Sequence, residues 1–138
     1  MPLAALLLLL ACDPTPPCSE LEPLQALTVD TGTGHPVFRW EGQADDLTVF
    51  VELMEEGVID TRWDAHCPKA LRPCLDAPVS YGHRPPGAAA EDSDDAFQLE
   101  PLPLVSGVEY QVEVVRYCVP EVEDAPRFLI STAGFTLP

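Results

Sequence analysis

The chain is poor in basic residues. Only 7 of its 138 residues are Lys or Arg, against 23 Asp and Glu, so the formal net charge is −16. Proteins that bind nucleic acid depend on Lys and Arg to displace counterions from phosphates. This imbalance argues against a nucleic-acid partner. It also means that an anionic lipid surface would repel the chain electrostatically.

Long apolar runs and helical periodicity are missing as well. The apolar run Leu3–Ala11 is far shorter than the ~20 residues that cross a bilayer as a helix. After this run, no segment of ten or more residues has apolar positions at helical spacing. The chain instead consists of short alternating runs separated by turn residues, and this pattern favours β-structure.

Catalytic motifs are also absent from the sequence. A Ser or Cys nucleophile needs a His and an acid beside it, and His35, His66 and His83 lie in no recognisable motif such as Gly-x-Ser-x-Gly. Glycoside hydrolysis needs only two acids, which the composition supplies many times over. However, the filled core of so small a domain leaves little room for a deep pocket. We therefore predict a non-catalytic protein without a cofactor.

The first twelve residues carry the strongest signal in the chain. A run of Ala and Leu ends in Ala11-Cys12 and is followed by the polar, proline-rich residues 13–17. This pattern resembles the signal peptide (residues 1–11) and lipobox of bacterial lipoproteins. It departs from the usual form because no Lys or Arg precedes the apolar run and because Leu10 is bulkier than the residue normally found there.

The lipoprotein resemblance implies a location. Cys12 would become the mature N-terminus, carry lipid and anchor the protein to the bacterial cell envelope, on its periplasmic or cell-surface face. The membrane would then be contacted through the lipid anchor only. A signal cleaved without lipidation, which would give a secreted protein, and a buried N-terminal segment are the alternatives.

The five cysteines fit the same interpretation. They are Cys12, Cys18, Cys67, Cys74 and Cys118. An odd number leaves one thiol over in an exported protein, and lipidation of Cys12 would leave an even four. Outside the cytoplasm we expect these four to form two disulfides. The sequence alone does not choose among their three pairings.

The rest of the chain divides into a Pro-rich linker, residues 12–23, and one domain, residues 24–138. The linker prolines favour extended backbone, so we expect a semi-rigid spacer. We predict a long loop over residues 64–95, with one short strand at Val79–Tyr81. The other predicted strands are Gln25–Asp30, Pro36–Trp40, Leu47–Leu53, Val58–Trp63, Ala96–Leu99, Glu109–Tyr117 and one within Phe128–Leu137. About seven short strands predict an all-β fold, a β-sandwich.

Three places in the domain resemble a fibronectin type III domain. Val37–Trp40 carries a tryptophan in the second strand, and the chain ends in Phe135–Pro138, much like a last family strand. Residues 104–114 resemble the family signature Leu-x-Pro-Gly-x-x-Tyr-x-Val-x-Val, with Ser106 in place of the proline. The resemblance implies an immunoglobulin-like sandwich in which Tyr110 forms a tyrosine corner. A generic immunoglobulin-like sandwich is the alternative.

The resemblance also constrains the disulfides. In such a sandwich the N-terminus, the end of the return strand and the end of the sixth strand lie at one pole. This implies the pairs Cys67–Cys74 and Cys18–Cys118.

Two clusters are candidates for metal binding. Cys67, Cys74, His66 and His83 could be read as zinc ligands, but six residues between the cysteines exceed the usual ligand spacing, so a disulfide is favoured. The acidic run at 91–95 could bind calcium through hard oxygens, although it lacks the glycine and terminal glutamate of an EF-hand loop. Its candidate ligands are Asp92, Asp94 and Asp95.

These observations predict a lipid-anchored envelope protein that acts as a non-catalytic binding or structural module. We expect a protein or carbohydrate partner, with the 64–95 loop carrying specificity, because loops on a rigid scaffold vary freely. Phe50, Met54 and Tyr117 lie on the non-core phase of their strands and could form a contact patch. The alternative is a small calcium- or ligand-binding envelope lipoprotein that uses the acidic residues 91–95.

Overall fold

The computed structural model describes residues 15–32, 34–53, 57–89 and 101–138. In these residues the chain is all-β, and its helical segments are two 3-10 turns of three residues, Cys18–Glu20 and Lys69–Leu71. The strands are β1 (Gln25–Asp30), β2 (Val37–Glu41), β3 (Gln43–Ala44), β4 (Asp46–Glu52), β5 (Ile59–His66), β6 (Leu75–Asp76), β7 (Val79–Ser80), β8 (Glu109–Tyr117) and β9 (Phe128–Thr136).

The strands form three antiparallel sheets. One sheet has the order β1-β2-β7, a second has the order β5-β4-β8-β9, and β3 pairs with β6 alone. The two larger sheets share one core. In it, the ring of Phe38 on β2 meets the ring of Phe135 on β9 edge-on, with centroids 5.8 Å apart. The predicted all-β class is confirmed, and the layers are those of a β-sandwich.

Alternation along the strands explains which side chains fill this core. On β8, Tyr110, Val112 and Val114 are at most 2 % exposed, as the period-two pattern predicts. On β4, Leu47 is fully buried, whereas Leu53, which the same alternation assigns to the core face, lies beyond the end of the strand and is 45 % exposed. The core-facing side chains of β4 therefore do not extend to Leu53, just after the strand.

Tyr110 makes the contacts that the resemblance implied for a tyrosine corner. Its hydroxyl accepts a hydrogen bond of 2.7 Å from the backbone N–H of Val105. Its ring stacks on Phe135, with centroids 5.6 Å apart. Leu104 packs against the core beside it. The polar end of a buried tyrosine thus fixes the loop that leads into β8.

The structure corrects the prediction of one long loop over residues 64–95. β5 continues to His66, and the two-residue strand β6 lies within the predicted loop, whereas β7 lies at the predicted short strand Val79–Tyr81. Val79 and Ser80 pair with β2 and add a third strand to the first sheet. The predicted strand Ala96–Leu99 lies outside the described residues.

The described part of this connection covers the outer edge of β5. Arg84 donates a hydrogen bond of 2.8 Å from Nε to the carbonyl of Asp64. His66 and Ala89 exchange two backbone hydrogen bonds, of 2.7 and 2.8 Å. An edge strand with free backbone groups can recruit other chains, so this cover closes the second half of the β5 edge.

The strand directions define two poles of the sandwich. At the N-terminal pole β1, β4 and β9 begin and β2, β5 and β8 end. This pole contains residues 16–20, 45–46, 66–74 and 116–128. The opposite pole contains residues 31–32, 34–36, 81–83 and 101–108 and the end of β9.

Candidate functional site at the N-terminal pole

The N-terminal segment is bound to the domain from Pro16 onward. The carbonyl of Pro16 accepts the N–H of Val119, and the carbonyl of Val119 accepts the N–H of Cys18, both at 2.8 Å. Cys18 also forms a disulfide with Cys118, with Cα atoms 4.8 Å apart. The second half of the predicted linker therefore does not act as a spacer, because it is fixed to the end of β8.

A second disulfide closes a short loop at the same pole. It joins Cys67 to Cys74, with Cα atoms 5.7 Å apart, and Cys67 Sγ accepts the Cys74 N–H at 3.1 Å. Arg72, inside this loop, donates from Nε to the carbonyl of Cys67 at 3.3 Å. Both disulfides are the pairs that the fibronectin type III resemblance implied.

Arg72 connects the two disulfide-closed segments. Its guanidinium carbon lies 4.3 Å from the centre of the Tyr117 ring, next to Cys118 in the chain. A cation at this distance over an aromatic face is attracted by the ring quadrupole. The loop that carries Arg72 is thereby held against the end of β8.

Asp45 is a carboxylate buried beneath this surface, only 1 % exposed. Its Oδ2 accepts the backbone N–H of Tyr117 at 2.7 Å, and its Oδ1 lies 3.8 Å from Nη1 of Arg116. Burial raises the pKa of Asp45, and the Tyr117 hydrogen bond and the charges of Arg116 and Arg72 oppose this rise. The carboxylate and its cations tie the start of β4 to the end of β8.

A second acid, Asp46, links two strands on the outer face of the four-stranded sheet. Its Oδ2 accepts a hydrogen bond of 2.5 Å from the hydroxyl of Tyr117 on β8. Its Oδ1 accepts a hydrogen bond from Nδ1–H of His66 on β5. The three side chains form one partly buried network across three strands, which makes this end of the sheet stiff.

A hollow of about 680 Å³ opens beside these networks. Three cations line it, Lys69, Arg72 and Arg127, together with two acids, Glu123 and Asp124. With Arg116, this pole holds four of the seven basic residues of the chain. The rare positive charge of an acidic protein is thus concentrated at one end.

Exposed apolar side chains surround the hollow. Val119 and Val122 lie in its wall and are 48 % and 68 % exposed, and Leu71, beside Arg72, is 52 % exposed. Thr15 is also in the wall, three residues after Cys12. A group of exposed apolar residues next to charges is typical of a contact surface.

The opposite pole has a smaller hollow, of about 470 Å³. The rings of His35 and His83 meet edge-on there, with centroids 6.2 Å apart, and His83 Nδ1 lies 3.2 Å from the carbonyl of Tyr81. Proline and leucine side chains make up much of the remaining wall: Pro36, Pro101, Leu102, Pro103, Leu104 and Leu137. This hollow is less charged than the one at the N-terminal pole.

The structure does not bring together the residues of the alternative zinc site. Cys67 and Cys74 are joined in a disulfide, His66 bonds to Asp46, and His83 lies at the opposite pole. Within residues 15–32, 34–53, 57–89 and 101–138, no group of three or more His, Cys, Asp or Glu could hold a metal ion.

The other predicted site residues lie outside the described residues. They are Cys12, Asp92, Asp94 and Asp95. Met54, from the predicted apolar patch, also lies outside them. Phe50 pairs with Gln111, six positions along β8 from Tyr117, a separation of about 20 Å, so Phe50 and Tyr117 do not share one patch.

Sequence reasoning missed the two residues that organise this pole. Asp45 lies between β3 and β4 and is followed by a second acid, Asp46, and nothing in its neighbours predicts a buried charge. Arg72 is three residues from Lys69 in a proline-containing loop, and only the fold places it over Tyr117. The one usable signal was that Lys69 and Arg72 are two of only seven basic residues.

Comparisons with known proteins add no identification. No family model, no curated protein and no solved structure matches this chain. Among the described residues, no helix has the length and apolarity needed to cross a membrane.

Proposed function

We propose that this protein is a lipid-anchored module of the bacterial cell envelope that works by binding and not by catalysis. The observation that carries the proposal is the attachment of the N-terminal segment to one pole, through Cys18–Cys118 and the hydrogen bonds of Val119. A lipid on Cys12 would hold this pole near the membrane. The opposite pole, with its His35–His83 hollow, would then face away and be open to a protein or carbohydrate.

We further propose that the sandwich is of the fibronectin type III kind. The order β1-β2-β7 facing β5-β4-β8-β9 supports this assignment, as does the hydrogen bond from Val105 to Tyr110. Such modules present loops and sheet faces to partners on a rigid framework. Fold alone does not identify the partner.

The test is the chemical state of the mature N-terminus. The intact mass of the full chain, expressed in a bacterium and extracted from membranes, should correspond to loss of residues 1–11 and a gain of acyl groups on Cys12. The Cys12→Ser variant should leave the membrane fraction. An unmodified Cys12, or a wild-type chain that fractionates with soluble proteins, would contradict the anchor.

The binding role is tested at the opposite pole. A photo-crosslinking residue at His83, which is exposed, should give a discrete adduct in intact cells, and one at exposed Arg39 on β2 should not. Equal labelling from both positions would contradict a partner site at this pole.

A further inference from the structure

We infer that the hollow at the N-terminal pole binds the headgroup of a zwitterionic phospholipid, a phosphate diester that also carries an ammonium group. Bound in this way, the pole rests directly on the membrane surface. The inference deepens the proposed function and rests on it, because the lipid on Cys12 brings the pole to the membrane.

The length of the tether supports contact with the membrane. Pro16 is hydrogen-bonded to the domain, and it is four residues after Cys12. Four extended residues span about 14 Å at most. Because Thr15 lies in the wall of the hollow, the hollow opens on the side from which the tether leaves. It therefore lies close to the plane of the headgroups.

The charges in the hollow match a zwitterion better than an anion. Arg72 and Arg127 present guanidinium groups that suit the planar oxygen pairs of phosphate, and Lys69 adds a third cation. Glu123 and Asp124 in the same wall would attract an ammonium group. These acids, and the net charge of −16, would disfavour a headgroup that has only negative charge.

The apolar residues around the hollow also favour a phospholipid headgroup as its occupant. Leu71, Val119 and Val122 are about half exposed or more, and exposure of such side chains to water is unfavourable. Inserted at the boundary between headgroups and acyl chains, they would lose that contact with water, as the apolar face of an interfacial segment does. The cations and acids of the hollow would remain at the depth of the lipid headgroups.

The experiment measures vesicle binding without the anchor. Mature chain carrying Cys12→Ser is floated with vesicles of phosphatidylethanolamine and phosphatidylcholine, and separately with vesicles rich in phosphatidylglycerol. We expect stronger binding to the zwitterionic vesicles. The double variant Lys69→Gln/Arg127→Gln should lower this binding about tenfold, since it removes two charged contacts to phosphate. The matched control, Arg39→Gln, removes an exposed cation on β2 and should bind as the parent does.

A second variant tests the role of the acids. Glu123→Gln/Asp124→Asn should shift binding toward the phosphatidylglycerol vesicles. Asn tolerates the positive φ of 74° at position 124, so this variant should fold. Thermal melting of each variant checks that the fold is retained.

Three results would overturn the inference. They are absence of binding to zwitterionic vesicles, equal binding by the parent and the Lys69→Gln/Arg127→Gln variant, and full competition by inorganic phosphate, which would indicate a site for a soluble anion. Lipidation is read separately, from the mass of the native chain. An unmodified Cys12 would therefore refute the proposed anchor whatever the vesicles show.

Discussion

Glu113 shows how an outward-facing acid can still be partly buried. It lies in the middle of β8, on the outer face of the four-stranded sheet, opposite Thr48 on one side and Thr132 on the other. Burial raises the pKa of its carboxyl. The ionised carboxylate is therefore less favourable in the folded protein than in the unfolded chain.

A substitution at Glu113 should stabilise the protein at neutral pH. A raised folded-state pKa means that the contribution of this group to stability is complete below its unfolded pKa and is lost as pH rises through the folded value. Glu113→Gln should raise Tm by a few degrees at pH 7, and this gain should disappear toward pH 3. Glu109→Gln, at the exposed start of the same strand, is the control and should change Tm little.

A substitution at Asp45, in contrast, should destabilise the protein. Asp45→Ala leaves the N–H of Tyr117 without its acceptor and removes the acid nearest to the poorly exposed Arg116. Loss of one partner of a buried ion pair destabilises by about 3 kcal/mol. Urea unfolding measures this loss, and the exposed Glu22→Ala serves as control. Similar midpoints for the two variants would contradict the assigned role of Asp45.

Among the strands, the long ones and the short β7 were predicted from the sequence, and the two-residue strands β3 and β6 were not. β4 and β8 have seven and nine residues with apolar side chains at alternate positions, which is enough to identify a strand and its core face. β3 and β6 have two residues each, and two residues cannot show a period. Their pairing depends on where the rest of the chain brings them, which local sequence does not encode.

The candidate site was harder to predict than the strands, because its residues come together only in the folded chain. The residue types at the N-terminal pole were visible in the sequence, but the contact between Arg72 and Tyr117 joins residues 45 positions apart. Tyr117 was correctly placed off the core face of β8, yet its outer-face surroundings are polar, because Asp46 lies on the neighbouring strand. Strand register and the Cys67–Cys74 disulfide determine which of these side chains come into contact.

A single substitution tests whether Tyr110 on β8 fixes the loop that precedes this strand. Tyr110→Phe keeps the ring in the core and removes the acceptor of the Val105 N–H. We expect a loss of about 1–2 kcal/mol in the free energy of unfolding, with an unchanged urea m-value. A variant as stable as the parent would show that this hydrogen bond does not fix the loop.

The two disulfides should differ in how much they stabilise the folded protein. Cys18–Cys118 spans 100 residues and Cys67–Cys74 spans seven. Because a crosslink reduces the entropy of the unfolded chain more when its loop is longer, the first should contribute about 4–5 kcal/mol and the second about 2–3 kcal/mol. Paired Cys→Ser variants, unfolded in urea, compare them. A larger loss from the short loop would contradict this ranking.

The Cys18–Cys118 bond also has a mechanical consequence. A protein anchored at residue 12 and pulled at its C-terminus would transmit force through this crosslink, and the chain between the two cysteines would stay unstressed. Only residues 119–138 could then unravel, an extension of about 70 Å, whereas the reduced protein could lengthen by about 430 Å. Single-molecule pulling under oxidising and reducing conditions would measure both lengths. The crosslink thus limits how far the domain can lengthen under load.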